Sequence, residues 1–156
     1  MTIDIIDDVL IDIDSYVSEV LDGEFLDLTF GEQTFKGIQP RGKDEFQRFI
    51  ESKFTEYDVN FNFIRQSPLN QFEPNFIHSD EMMGDLTVLL YLNKCSPMKD
   101  GTIIYDNDKA KICTVRSRYN RCFIFPSHML HSRSIFNNFG IRDSARLVQV
   151  IFLKEK

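Results

Sequence analysis

The sequence predicts a mainly β fold of the α+β class: a double-stranded β-helix, or jelly roll, with N-terminal helices packed on one sheet. Three observations carry this. Apolar residues recur at helical spacing in two stretches before residue 57 and nowhere afterwards. From Asp58 onward the pattern changes to short apolar or alternating runs, the signature of strands. The segments between those runs carry Asn, Asp, Pro, Ser and Gly, the residues of turns.

The elements follow in order. Residues 3–6 form a short apolar run that suits a strand. Asp7 or Asp8 is placed to cap a helix in which Val9, Leu10, Ile13, Val17, Val20 and Leu21 share one face, and Gly23 is its stop. Phe25 to Phe35 alternates loosely and predicts a hairpin around Gly31. A loop at Gln39–Lys43 precedes a second helix, opened by Asp44 and carrying Phe46, Phe49, Ile50 and Phe54 on one side. Strands are then expected at Val59–Ile64, around His78, and at 86–92, 101–105, 112–115, 122–125 and 147–153. Residues 1–156 are expected to form one domain, 1–57 a mainly helical buttress and 58–156 the jelly-roll core.

Composition narrows the classes of function. Net charge is −6 and no basic block stands out, which argues against phosphate-backbone binding and makes nucleic acid an unlikely partner. Fifteen Phe and no Trp point to a core of phenyl rings. Three widely spaced cysteines without a Cys-x-x-Cys pair exclude a zinc ribbon or a disulfide framework and suit a reducing compartment. Acidic residues stand where a signal peptide would be basic, and no apolar run reaches membrane-spanning length, so a cytoplasmic location is expected.

The chemistry centres on Phe76-Ile-His-Ser-Asp80. In an extended segment residues i and i+2 point to one face, so His78 and Asp80 converge on a single cation. The run Phe123-Ile-Phe-Pro-Ser-His-Met-Leu-His131 supplies a third ligand, with His128 and His131 both available. Two imidazoles and one carboxylate with other positions open is the arrangement of non-haem Fe(II) sites.

Taken together, these segments resemble the Fe(II)/2-oxoglutarate-dependent oxygenases, in particular the prolyl-4-hydroxylase-like branch. The order is similar to that family's: His78-x-Asp80, Thr87-x-x-x-Tyr91-Leu-Asn, the turn Asp100-Gly-Thr, Phe125-Pro-Ser-x-x-x-His131, then Arg146 on the final strand. The likeness spans Phe76 to Leu153, about half the chain. It implies that His78, Asp80 and His131 are the iron ligands and that Arg146 and Tyr91 hold the far carboxylate of 2-oxoglutarate. Thr87 borders the same pocket in this reading. The turn departs from the family's Gly-Gly-Thr, and the gap from His131 to Arg146 is long. Arg142 therefore competes as the anchor; Arg146 is preferred because the continuous apolar strand starts directly after it. The family's spacing selects His131 over His128.

The resemblance implies Fe(II), 2-oxoglutarate and O2, with ascorbate as an optional support. The expected reaction is hydroxylation of a C–H bond coupled to decarboxylation, releasing succinate and CO2. A protein or peptide side chain, prolyl among the options, is the leading substrate class, followed by a small metabolite. A cupin-like metal-binding jelly roll that does not use 2-oxoglutarate, or a non-enzymatic binding module, are the alternatives. Neutral imidazoles are needed for ligation, so metal loss is expected on acidification below about pH 6. Arg65, Met82, Met83 and the Arg116–Arg121 turn are read as salt-bridged, loop and charged-turn residues respectively.

Overall fold

Two sheets of unequal size enclose the interior, and their faces explain most of the sequence pattern. The computed structural model describes residues 3–156; Met1 and Thr2, included in the expected domain, lie outside the described residues. The elements are β1 (Asp4–Ile6), α1 (Ile13–Asp22), β2 (Leu26–Phe30), β3 (Gln33–Pro40), α2 (Glu45–Lys53), β4 (Tyr57–Ser67) and β5 (Leu86–Tyr91). They continue with β6 (Gly101–Tyr105), β7 (Lys111–Arg116), β8 (Arg121–Pro126), β9 (Leu130–Arg133) and β10 (Arg146–Glu155). The larger sheet runs β1-β8-β5-β10-β4-β3-β2 and the smaller β7-β6-β9, every pairing antiparallel. This is the expected jelly roll, with both helices on the outer face of the larger sheet. Among the described residues, no helix is long and apolar enough to cross a membrane.

Strand parity sorts the side chains. Leu147, Ile151 and Leu153 of β10 join Val88 and Leu90 of β5 and Cys122 and Ile124 of β8 under the helices, where Val20, Phe46 and Ile50 are fully buried. The alternate residues Leu89, Tyr91, Phe123, Phe125 and Val148 face the smaller sheet and meet Ile104 and Val115. Because both faces of β5 are covered, Leu86–Leu92 reads as a continuous apolar run rather than an alternating one.

Three sequence expectations are corrected or completed by the structure. First, α1 begins at Ile13 with Asp12 as its cap, its carboxylate accepting the Ser15 N–H at 3.1 Å, not at Asp7 or Asp8. Asp7 is occupied by Arg121 and Arg118 (2.7 and 2.8 Å), and Asp8 has a φ of 56°, which a helix cannot contain. Leu10 is pinned outside the helix by Asn120, which bonds both its N–H and its carbonyl. Second, Arg118 and Arg121 are therefore a fastening for the N-terminal segment. Third, β4 does not alternate evenly. A bulge opposite Phe152/Leu153 reverses its parity, sending Val59 and Ile64 to the helix side while Phe61 and Phe63 pack on Phe152.

A buried polar knot ties the helices to the sheet. Asp44 caps α2 through the Gln47 N–H (2.8 Å) and also accepts from Tyr16 Oη (2.9 Å), Arg41 Nε (2.8 Å) and Gln149 Nε2 (3.0 Å). Gln149 is fully buried in β10, so its polar head has no recourse to water. Asp44→Ala removes the cap and the acceptor shared by Tyr16, Arg41 and Gln149, of which Tyr16 and Gln149 keep a second partner in Gln149 Oε1 and Asn62 Oδ1 respectively. It is expected to cost about 3 kcal/mol, read as a lower midpoint in urea or thermal unfolding.

Candidate metal centre

His78 is brought to the interior by pairing, not by a strand of its own. Its N–H donates to His131 O (3.0 Å) and its carbonyl accepts the His131 N–H (2.8 Å), adding one bridge to the edge of β9. The two imidazoles consequently face each other, ring centroids 4.4 Å apart. Asp80, two residues on, is fixed by its own N–H donating to Ser127 O at 2.8 Å. One ligand atom each from His78, Asp80 and His131 lies within 4.8 Å of the others, a spacing that could hold a metal ion. His128, the other imidazole considered from sequence, is exposed outside this cluster.

The hydrogen bonds decide which nitrogens point inward. His78 Nδ1 lies 2.9 Å from Phe76 O and His131 Nδ1 3.0 Å from Met129 O. A carbonyl can only accept, so both Nδ1 atoms carry the proton and both Nε2 atoms present lone pairs. Those lone pairs face the Asp80 carboxylate at 3.5 Å (His78) and 3.0 Å (His131). Three electron-rich atoms so arranged repel one another unless a cation or protons sit between them. Two nitrogens and a carboxylate oxygen fit Fe(II) and leave open positions.

The pKa directions express the same demand. The Asp80 hydrogen bond raises His78 above its ordinary 6.5, against the opposing effect of burial. Burial disfavours the Asp80 charge, yet hydrogen bonds from His131 and His78, made when a proton sits on Nε2, hold its carboxylate far below the usual range. The His78 contribution to metal-free stability is present below pH 6.5 and fades as pH rises through the raised value. That of Asp80 is present above 3.8 and is lost as pH falls through the lowered value. The metal-free protein is thus favoured between these limits, whereas a metal needs the neutral imidazole found above them. Proton competition at His78 begins above pH 6.5, earlier than an ordinary histidine suggests. Titrations with Ni(II) at pH 8, 7 and 6 are expected to show falling affinity, approaching about tenfold per unit below the His78 pKa. A flat profile would contradict this.

The far end of the interior is basic. Tyr91 is buried at the end of β5, its Oη 2.7 Å from Thr102 Oγ1, and burial pushes its phenol up to about 12. Arg146 opens β10 on the same inner face, buried, with Nε 4.0 Å from Asp100 Oδ1 and without a hydrogen-bond partner. Burial raises Asp100, a carboxylate standing where the resembling turn has glycine. The following Gly101 is required: a Cβ there would collide with the Val115 carbonyl of β7. Arg142, the competing anchor, is exposed on a 3₁₀ turn at Arg142–Ser144.

Thr87 shares the inner face with Tyr91 but lies about 13 Å along the strand from it. Its hydroxyl bonds Ser127 Oγ at 2.9 Å, and the Ser127 carbonyl is what holds the Asp80 N–H. Thr87 therefore braces the metal end. Arg65, expected to be salt-bridged, reaches Glu73 Oε2 at 3.2 Å. The sequence reading missed Arg133 and Glu73, which pair at 3.1 Å. Arg133 carried a usable signal, since it follows His131 by two residues and shares its face. Glu73 lies in irregular chain with no periodicity to orient it.

No protein-family model and no curated protein matches this chain. Solved structures do. A prolyl hydroxylase from Trichoplax adhaerens, in complex with a hypoxia inducible factor peptide fragment, is 15% identical with a TM-score of 0.72, over 98% of this chain and 83% of that one. The non-heme alpha-ketoglutarate-dependent epimerase SnoN of nogalamycin biosynthesis is 13% identical with a TM-score of 0.68, over 98% and 77%. HygX from Streptomyces hygroscopicus, with nickel and 2-oxoglutarate bound, is 12% identical with a TM-score of 0.62, over 99% and 83%. The chain has the fold of the 2-oxoglutarate–Fe(II) oxygenases, prolyl hydroxylases among them.

Proposed function

We propose that this protein is an Fe(II)- and 2-oxoglutarate-dependent dioxygenase that hydroxylates a C–H bond of a protein or peptide side chain or of a small metabolite. The observation that carries the reading is the convergence of two Nε2 lone pairs and one carboxylate within 4.8 Å, in a jelly roll whose far end holds a buried arginine. His78, Asp80 and His131 would hold the metal, and Arg146 with Tyr91 would receive the distal carboxylate. Bound Fe(II) and 2-oxoglutarate would supply the oxygen activation, driven by decarboxylation to succinate and CO2.

The chain's own contribution is positional. The backbone carbonyls of Phe76 and Met129 fix the tautomers of the ligating rings, and the Ser127 carbonyl fixes Asp80. Arg146 offers a planar, permanently charged fork to a carboxylate, and the Tyr91 phenol stands ready to donate to the same group. Leu89, Phe123, Phe125, Val148 and Val150 line the interior between the two ends and keep water from it. Protein supplied with Fe(II), 2-oxoglutarate, ascorbate and air is expected to form succinate slowly even without substrate. Folded, iron-loaded protein that forms none would count against the proposal. A cupin-like centre would bind metal but ignore the loss of Arg146, which separates it from this reading.

A further inference from the structure

The resemblance calls for one basic anchor, yet three arginines converge on the co-substrate end. Arg133 sits on β9 opposite Thr102 of β6, the residue hydrogen-bonded to Tyr91. One side of its guanidinium is used: Nη1 donates to Glu73 Oε1 at 3.1 Å and to Asn138 Oδ1 at 2.7 Å. Its Nε and Nη2 are buried without a partner, on a side chain only 13% exposed. Those two N–H groups lie along one edge, the edge that takes both oxygens of a carboxylate side by side. Native interiors seldom leave two charged donors unanswered. Arg146 Nε is in the same condition, and its nearest acid, Asp100, is beyond hydrogen-bond reach at 4.0 Å.

Charge balance points the same way. The guanidinium groups of Arg65, Arg133 and Arg146 are offset within the cluster by the carboxylates of Glu73 and Asp100, leaving one positive charge over. One incoming carboxylate neutralises it. A carboxylate has about four lone-pair sites, enough for a phenol and two guanidinium groups together.

We infer that Arg133 and Arg146 bind the distal carboxylate of the 2-oxo acid jointly, Arg146 and Tyr91 from the larger sheet and Arg133 from the smaller. Glu73 and Asp100 act as counter-ions that limit the pair to a single anion. Arg133 is thus a specificity-determining residue that favours dicarboxylic over monocarboxylic 2-oxo acids. The inference rests on the proposed function, and its test separates the two.

Calorimetric titration of the anaerobic Ni(II)-loaded protein with 2-oxoglutarate, and separately with 2-oxobutyrate, reads binding without turnover. Arg133→Gln is expected to raise the Kd for 2-oxoglutarate about 10- to 100-fold, the range for loss of a charged hydrogen-bonding partner. The 2-oxobutyrate Kd and the Ni(II) stoichiometry should stay at wild-type values. Arg133→Lys, which keeps the charge but loses the fork, should fall between the two. A 2-oxoglutarate Kd in both variants within twofold of wild type would overturn the inference. Equal weakening of both acids would also overturn it, marking Arg133 as structural. Wild-type Ni(II) protein that binds neither acid would sink the proposed function itself.

Discussion

Asp80→Ala is expected to abolish stable metal binding while leaving the chain folded. Asp80 is the sole negative charge among the three candidate ligands and the only hard oxygen donor. It stands 3.0 Å from His131 Nε2 and 3.5 Å from His78 Nε2, so its removal leaves two neutral imidazoles held by backbone contacts that the substitution does not touch. Loss of a supporting outer residue typically weakens a metal site about 10- to 100-fold, and loss of a direct ligand should exceed that. The check is Ni(II) or Fe(II) titration, with circular dichroism to establish folding. Succinate formation should disappear in parallel. Metal affinity within a few-fold of wild type would show that these residues do not form the site.

Arg146→Ala carries the second large effect, on 2-oxoglutarate alone. The guanidinium is buried on the inner face at the end of the interior away from the histidines, so metal binding should persist. The 2-oxoglutarate Kd should rise by about 100-fold or more, since a charge-assisted fork is lost in a dry setting. The variant also strips Asp100 of its nearest cation. A carboxylate so deeply buried, with its pKa already raised, answers by taking a proton, which tempers the stability cost. Arg146→Lys therefore serves as the companion variant, keeping the charge beside Asp100 while losing the bidentate geometry. Arg142→Ala, at the exposed competing position, should leave the 2-oxoglutarate Kd within twofold of wild type. The reverse pattern would transfer the anchor to Arg142.

Local chemistry makes much of this legible in the sequence alone. The i, i+2 spacing of His78 and Asp80 points to a shared site, although a single bridge to His131 and the Ser127 carbonyl, not a strand, bring them together. The apolar runs of β5, β8 and β10 announce strands covered on both faces. Asp44 declares the start of α2 because its side chain acts within one turn. What stayed hidden depends on partners far away in sequence. α1 starts late because Asn120 and Arg121 claim Leu10 and Asp7 across more than a hundred residues. The bulge in β4 arises from its pairing with β10, and no periodicity in β4 reveals it. Arg65, Glu73 and Arg133 come from β4, an irregular segment and β9, and only the closed jelly roll sets them together. Thr87 illustrates the limit of parity: the face was right, but distance along the strand gave its hydroxyl to Ser127.

The most direct test is an anaerobic optical titration: Fe(II) is added to the purified protein, then 2-oxoglutarate. If His78, Asp80 and His131 grip one iron while Arg146 steers the keto acid onto it, a weak visible absorption band of the iron–keto acid chelate should grow to saturation at one equivalent of iron. It should be missing in Asp80→Ala, and Arg146→Ala should need far more 2-oxoglutarate to reach it. Wild-type protein that stays folded and colourless under these conditions would contradict the account.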